Sequence, residues 1–165
     1  MKITDLYKQI YRRFDELTPV PFDCGEMCGK LCCAGDDESG MYLFPGEEAL
    51  FSGNDNFSVL PTELISAGRP VNLLVCHGPC KRAERPLSCR IFPLIPFYRK
   101  GSTLEIISDP RANICPLTHP AAAGCMDRSF IKEVNYAFRV LLKIPEVAEF
   151  LDTLSYVLDD YRHLI

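Results

Sequence analysis

The chain has no apolar run of about 18 residues or more, which leaves no candidate for a membrane-spanning helix. Its opening, Met1-Lys2-Ile3-Thr4-Asp5, carries no apolar stretch behind a basic flank. No secretory signal is therefore expected, and the reading is cytoplasmic. Basic residues are not in surplus either. Lys and Arg number 18 against 22 Asp and Glu, for a formal charge of −4, and that balance argues against nucleic acid as a partner. Gly-rich phosphate loops, Gly-x-Ser-x-Gly elbows and His-Glu-x-x-His strings are all missing. No internal repeat is evident.

What remains is ordinary in bulk. At 165 residues, with 47% hydrophobic and 24% charged, the chain is long enough for one domain with a real core. Three segments carry apolar residues at helical spacing. The first holds Ile3, Leu6, Tyr7, Ile10, Phe14 and Leu17, with Thr4 as its expected cap. The second holds Phe130, Ile131, Val134, Phe138, Leu141 and Leu142. In the third, Pro145 fits the first turn, and Val147, Phe150, Leu151, Leu154, Leu158 and Tyr161 are expected to face inward. The last two helices (126–165) read as an antiparallel hairpin on their short connection.

The middle, from Pro21 to Pro120, is rich in Pro, Gly and Cys. Strands are expected at Phe57–Leu60 and Val71–Val75. A hairpin is expected from Leu94–Tyr98 and Leu104–Ser108 around Arg99-Lys100-Gly101-Ser102. Glu47–Phe51 reads as a helical turn whose acids, Glu47 and Glu48, offset the dipole. So little periodicity leaves this region short of an apolar core, a difficulty that a bound metal answers. The resulting expectation is an α+β fold: a small, loop-rich, metal-stapled β core (20–120) between an N-terminal helix and a C-terminal helical hairpin.

Nine cysteines are the feature to explain. Disulfides are rare in a reducing compartment, and four cysteines within ten positions do not suit scattered core packing. Cys24, Cys28, Cys32 and Cys33 form the first patch, and Cys76, Cys80 and Cys89 the second. Cys115, followed by Pro116, and Cys125 come later. Thiolates bind zinc in closed tetrahedral sites, often as close pairs from distant loops. The same soft donors serve iron and iron–sulfur clusters, so zinc is the first reading and iron or an iron–sulfur cluster the alternative. Gly25 and Gly29 follow two cysteines, where a positive φ could aim N–H groups at sulfur. Lys81, Arg82, Arg85 and Arg90 supply cations that a tetrathiolate centre favours, though a solvated loop with Arg90 paired to an acid is the plainer reading.

Other donors weigh less. His77 and His119 are secondary nitrogen candidates, and His163 reads as incidental. Asp36, Asp37 and Glu38 read as a solvated acidic turn rather than hard ligands for iron. The Cys24, Cys28, Cys32 spacing differs from the radical-SAM motif by one residue in its second gap, and the chain is short for the barrel such enzymes use.

The cluster ending in Cys32-Cys33, then Cys76 and Cys80, then Arg85-Pro86-Leu87-Ser88-Cys89-Arg90-Ile91-Phe92-Pro93, resembles the YkgJ-type cysteine-cluster family. Both gaps in the first cluster are three residues here, against two in that family's usual motif. The resemblance covers roughly Cys24 to Pro116 and implies a zinc- or iron-chelating domain. It would place ligands at Cys24, Cys28, Cys32, Cys33, Cys76, Cys80 and Cys89. It also implies no assigned activity, some relatives being linked to flagellin lysine methylation. The working expectation is that these ligands meet at one or two sites, with Cys115 completing a shell and Cys125 spare. A binding or accessory module recognising a protein partner is favoured over an enzyme or redox protein, because no acid–base or cofactor motif accompanies the cysteines.

Overall fold

The computed structural model describes residues 2–33, 39–78, 80–122 and 124–163. The acidic stretch Asp36, Asp37 and Glu38 lies outside the described residues. The first helix, α1, spans Ile3–Arg13 and turns Tyr7 and Ile10 into the core. Arg12 and Arg13 occupy its last turn, where cations oppose the helix dipole. Thr4 is not its cap: Lys2 holds that position without a side-chain hydrogen bond, and Thr4 is already helical. Phe14 lies just beyond the helix and is fully buried.

A three-stranded antiparallel sheet follows, in the order β1-β3-β2. Its strands are β1 (Gly40–Tyr42), β2 (Phe57–Ser66) and β3 (Arg69–Cys76). The β2–β3 hairpin runs well past the expected Leu60. It closes through Ala67 and Gly68, both at positive φ (50° and 71°), as a two-residue turn matched to strand twist requires. Gly40 permits the β1 pairing, since a Cβ there would meet the Leu74 carbonyl oxygen at 2.3 Å. The register pairs Phe57 with Cys76, which places that cysteine at the open end of the sheet. A second hairpin joins β4 (Leu94–Phe97) to β5 (Glu105–Ser108), close to the expected bounds.

Two short helices, α2 (Gly25–Cys28) and α3 (Leu87–Ile91), carry cysteines between these elements. The chain ends with α4 (Arg128–Leu141) and α5 (Pro145–Arg162). The Asp127 carboxylate caps α4 by accepting from the Ser129 backbone N–H at 2.6 Å. Helix α4 lies against β4 and β5, and α5 against β4 and β2. Among the described residues, no helix is long and apolar enough to cross a membrane.

The middle does build an apolar core, contrary to expectation. Phe44, Val71, Leu87, Ile91, Leu94 and Ile95 pack into one cluster with the faces of α1, α4 and α5. Their periodicity is weak because the helices supply the opposing layer. Phe44 sits at the centre, its ring 5.0 Å from Phe138 and 5.6 Å from Phe150. Tyr161 departs from the inward stripe of α5 and is 45% exposed. A smaller cluster of Leu43, Phe51, Phe57 and Leu74 underlies the sheet, with Cys76 and Cys80 packed on its rim.

Truncating Phe138 to Ala is expected to cost about 3–5 kcal/mol, the usual loss for a buried aromatic. The urea midpoint of the variant measures it. A shift equivalent to less than about 1 kcal/mol would show that this ring is not central to the core.

Candidate functional site

The first cysteine patch is a tightly wound segment. Cys24 occupies the N-terminal cap position of α2 and Cys28 its last residue. The Cys28 Sγ lies 3.8 Å from the Cys24 carbonyl oxygen. Gly29 then takes a left-handed φ of 60°, which ends the helix and reverses the chain, and Lys30 follows at 59°. Gly25 does not have the positive φ suggested by its place beside Cys24. It is helical, and its N–H donates to Asp23 Oδ1 at 3.0 Å. Leu31–Cys33 form a 3₁₀ turn, in which successive side chains diverge by about 120°. The adjacent Cys32 and Cys33 nonetheless remain within hydrogen-bonding reach of each other.

Cys115 arrives from the loop after β5. Asp109 holds that loop by binding the Arg111 guanidinium at 2.9 and 2.7 Å, and the Thr118 hydroxyl donates to the Ala112 and Cys115 carbonyls at 2.9 and 2.8 Å. The turn brings Cys115 against Cys24, Cys28 and Cys32. Together these four wall a cavity of about 20 Å³, completed by apolar Met27, Phe92, Pro93, Ile114, Pro116 and Leu117. Burial pushes the Cys24 thiol up, reinforced by Asp23, Cys115 and Cys28 and opposed by Arg82. Burial likewise raises Cys115, with Cys28 adding to it.

The remaining thiols adjoin this group through Cys33, the hydrogen-bond partner of Cys32. Cys33, Cys76, Cys80 and Cys89 lie close enough for the charge of each to act on the other three. The Cys76 thiol donates to Cys80, which raises Cys76 and, with a second hydrogen bond from Arg85, lowers Cys80 to about 6. Cys32 and Cys33 behave alike across their shared hydrogen bond. Cys32 rises, while Cys33 falls to about 6, helped by Arg85 and Lys30. Burial is the main cause that pushes Cys89 up, and Cys80 and Cys33 add to the effect.

Two buried polar residues fix the segment that carries Cys80, Arg85 and Cys89. Arg90, only 1% exposed, spends its donors on the carbonyls of Arg85 (2.8 Å), Ala83 (2.7 Å) and Tyr11 (3.2 Å) and on Asp15 Oδ1 (2.8 Å). Its guanidinium carbon also stands 4.3 Å from the Tyr11 ring centroid. Arg90 is paired to an acid, as the plainer reading of the basic loop had it, but it is buried rather than solvated. Glu47 is fully buried and accepts from the Leu87 N–H at 2.6 Å, the Phe44 N–H at 3.0 Å and the Tyr11 hydroxyl. It is thus a tie between α1, the sheet and α3 rather than a surface acid facing a dipole. Burial raises its carboxyl to about 7 against those hydrogen bonds and the Arg90 charge. Sequence pattern missed it because the Glu47-Glu48 pair looks like a solvated first turn.

The other candidates stand aside. His77 Nε2 is 2.6 Å from Ser58 Oγ, and His119 Nδ1 accepts from the Ala121 N–H at 3.1 Å. Cys125 is exposed and belongs to neither group. All nine thiols are free, and among the described residues no three or more His, Cys, Asp or Glu side chains are drawn into metal-ligating geometry. The sulfurs are neighbours that share protons rather than four thiolates converging on a point about 2.3 Å from each. The donor chemistry nonetheless fits a thiophilic ion. Four soft donors wall one cavity with the volume for about a single water-sized particle, Arg82 acts on Cys24, and Arg85 on Cys80.

No family model, curated protein or solved structure matches this chain. The likeness to the YkgJ-type family accordingly rests on the cysteine spacing and the Arg85–Pro93 string.

Glu47 gives a pH signature. Its folded-state value, near 7, lies above the ordinary carboxylate value of about 4.3, so the fold favours the protonated form. That contribution is complete below the ordinary value and is lost as pH rises through about 7. Relative to Glu47→Gln, the wild type is therefore expected to lose stability between roughly pH 4.5 and 7 and then level off. Urea unfolding of both proteins across that range tests it, and a pH-independent difference refutes the assignment. For Arg90→Lys, which keeps the charge but not the fork, a loss of about 2–4 kcal/mol is expected in the same assay.

Proposed function

We propose that this protein binds metal through its clustered cysteine thiolates, that the ion is zinc, and that the site is mainly structural. The observation that carries this reading is that Cys24, Cys28, Cys32 and Cys115, drawn from distant parts of the chain, wall one small cavity, with Cys33, Cys76, Cys80 and Cys89 next to them through the Cys32–Cys33 hydrogen bond. Four thiolates are a complete tetrahedral shell for zinc. Such a shell carries a net charge of −2, and the cations Arg82 and Arg85 next to the sulfurs favour it. Bound zinc supplies cross-links between chain segments, and its binding free energy adds directly to folding.

The residues around the sulfurs act as a frame. Arg90 and Glu47 hold the Cys80–Cys89 segment against α1, and Thr118 holds the Cys115 turn. Free thiols suit a reducing compartment such as the cytoplasm. With metal closing the loops, the protein serves as a binding or accessory module for another protein.

The first measurement is metal content per chain, with a visible spectrum, on protein purified under reducing conditions. Zinc near whole-number stoichiometry, with no colour, is expected. Iron with labile sulfide and visible absorption would replace zinc with an iron–sulfur centre and make the protein a redox or cluster-carrying one. Chain without any metal, unable to take up zinc, would end the reading.

A further inference from the structure

We infer that the cavity between the tip of the β2–β3 hairpin and the start of α5 binds a small aliphatic amine with two or more positive charges, of the diamine or polyamine class. The cavity has a volume of about 670 Å³, in the usual range for small-molecule sites, and no described cysteine lines it. The inference is thus independent of the thiolate–metal reading.

Its walls combine apolar surface with charge that the fold leaves unneutralised. Val71, Ile144 and Phe150 supply apolar wall, and Glu48, Glu146, Glu149 and Arg69 the charge. Among the described residues none of these four takes part in an ion pair. Three carboxylates against one guanidinium leave two negative charges in excess, which a dication neutralises. Opposing the helix dipole accounts for Glu146 in the first turn of α5, but not for Glu149 facing the same cavity. A metal ion would need the carboxylates to converge, and among the described residues no three His, Cys, Asp or Glu side chains do. Glu146 and Glu149 instead stand three residues apart on α5, about 5–6 Å between Cβ atoms, a span that suits separate ammonium groups on a short carbon chain.

The hairpin adds a polar anchor. Ser66 pairs with Arg69 across the ladder, and side-chain alternation puts both on the face that carries Val71 into the core. Ser66 lines the cavity, is nine-tenths buried, and its Oγ has no hydrogen-bond partner. A buried hydroxyl left unpaired is costly, and its oxygen can accept from an ammonium N–H.

The test titrates putrescine into the full chain, followed by calorimetry and by amide NMR shifts. Saturable binding of one putrescine per chain is expected, with shifts confined to residues 66–72 and the first turns of α5. Glu149→Gln is expected to weaken binding about tenfold, the usual value of a charge-assisted hydrogen bond. Glu63→Gln, exposed on β2 and outside the cavity, is expected to leave it unchanged. Ser66→Ala is expected to weaken binding without lowering the urea midpoint, whereas a merely structural hydroxyl would lower the midpoint. Failure to saturate at millimolar putrescine, or wild-type affinity in both Glu149→Gln and Ser66→Ala, overturns the inference. Magnesium that displaces putrescine at equal concentration overturns it as well.

Discussion

A single buried guanidinium holds together parts of the chain that are far apart in sequence. Arg90 reaches the last turn of α1 through the Tyr11 carbonyl and, two residues beyond that helix, Asp15. Its other donors take two carbonyls of its own loop, those of Ala83 and Arg85. A charge removed from water is costly unless its hydrogen bonds are met, and here four acceptors and an aromatic face meet them. Glu47 completes the arrangement from the other side by anchoring the start of α3. Cys80, Arg85 and Cys89 take their positions from this frame. The sulfur cluster is therefore a property of the packed core as much as of the loops that bear it.

The sulfur groups show how much local charge a half-buried thiol cluster tolerates. Within each hydrogen-bonded pair one thiol is pushed up and its partner pulled down, so a proton is shared instead of two anions being set side by side. Arg85 and Lys30 favour the anionic member. On the proposed metal-binding reading, such a cluster releases its remaining protons to a cation, which links affinity to pH.

The long helices were readable because their apolar residues recur at the helical period, and the β4–β5 hairpin because Gly101 marks its turn. The α+β class followed from those elements. Other features depend on partners that no local pattern reveals. Strand β1 is three residues long and exists through its pairing with β3. Strand β2 continues through Pro61, which local propensity would end, because its register with β3 holds on the far side of an irregularity. Helix α2 has four residues, too few for any periodicity. Of the cysteines singled out by spacing, Cys24, Cys28, Cys32 and Cys115 line one cavity, and Cys76 and Cys80 pack on the smaller apolar cluster. Spacing could not show that Cys115 joins Cys24, Cys28 and Cys32 around one cavity, nor that Glu47 leaves the solvent to join α1 to α3. Both outcomes are set by tertiary contacts, those of Glu47 coming from Tyr11 and Leu87.

The position of Cys115 has a consequence for the order of events during synthesis. Cys24, Cys28 and Cys32 wait for Cys115, the fourth thiol of their cavity, for a further 26 residues after Cys89 has been made. At about 5–20 residues per second, that gap lasts on the order of one to five seconds. For that interval a nascent chain carries three walls of the cavity without the fourth. Vectorial growth thus delays the closing of that cavity until the segment after β5 has been made.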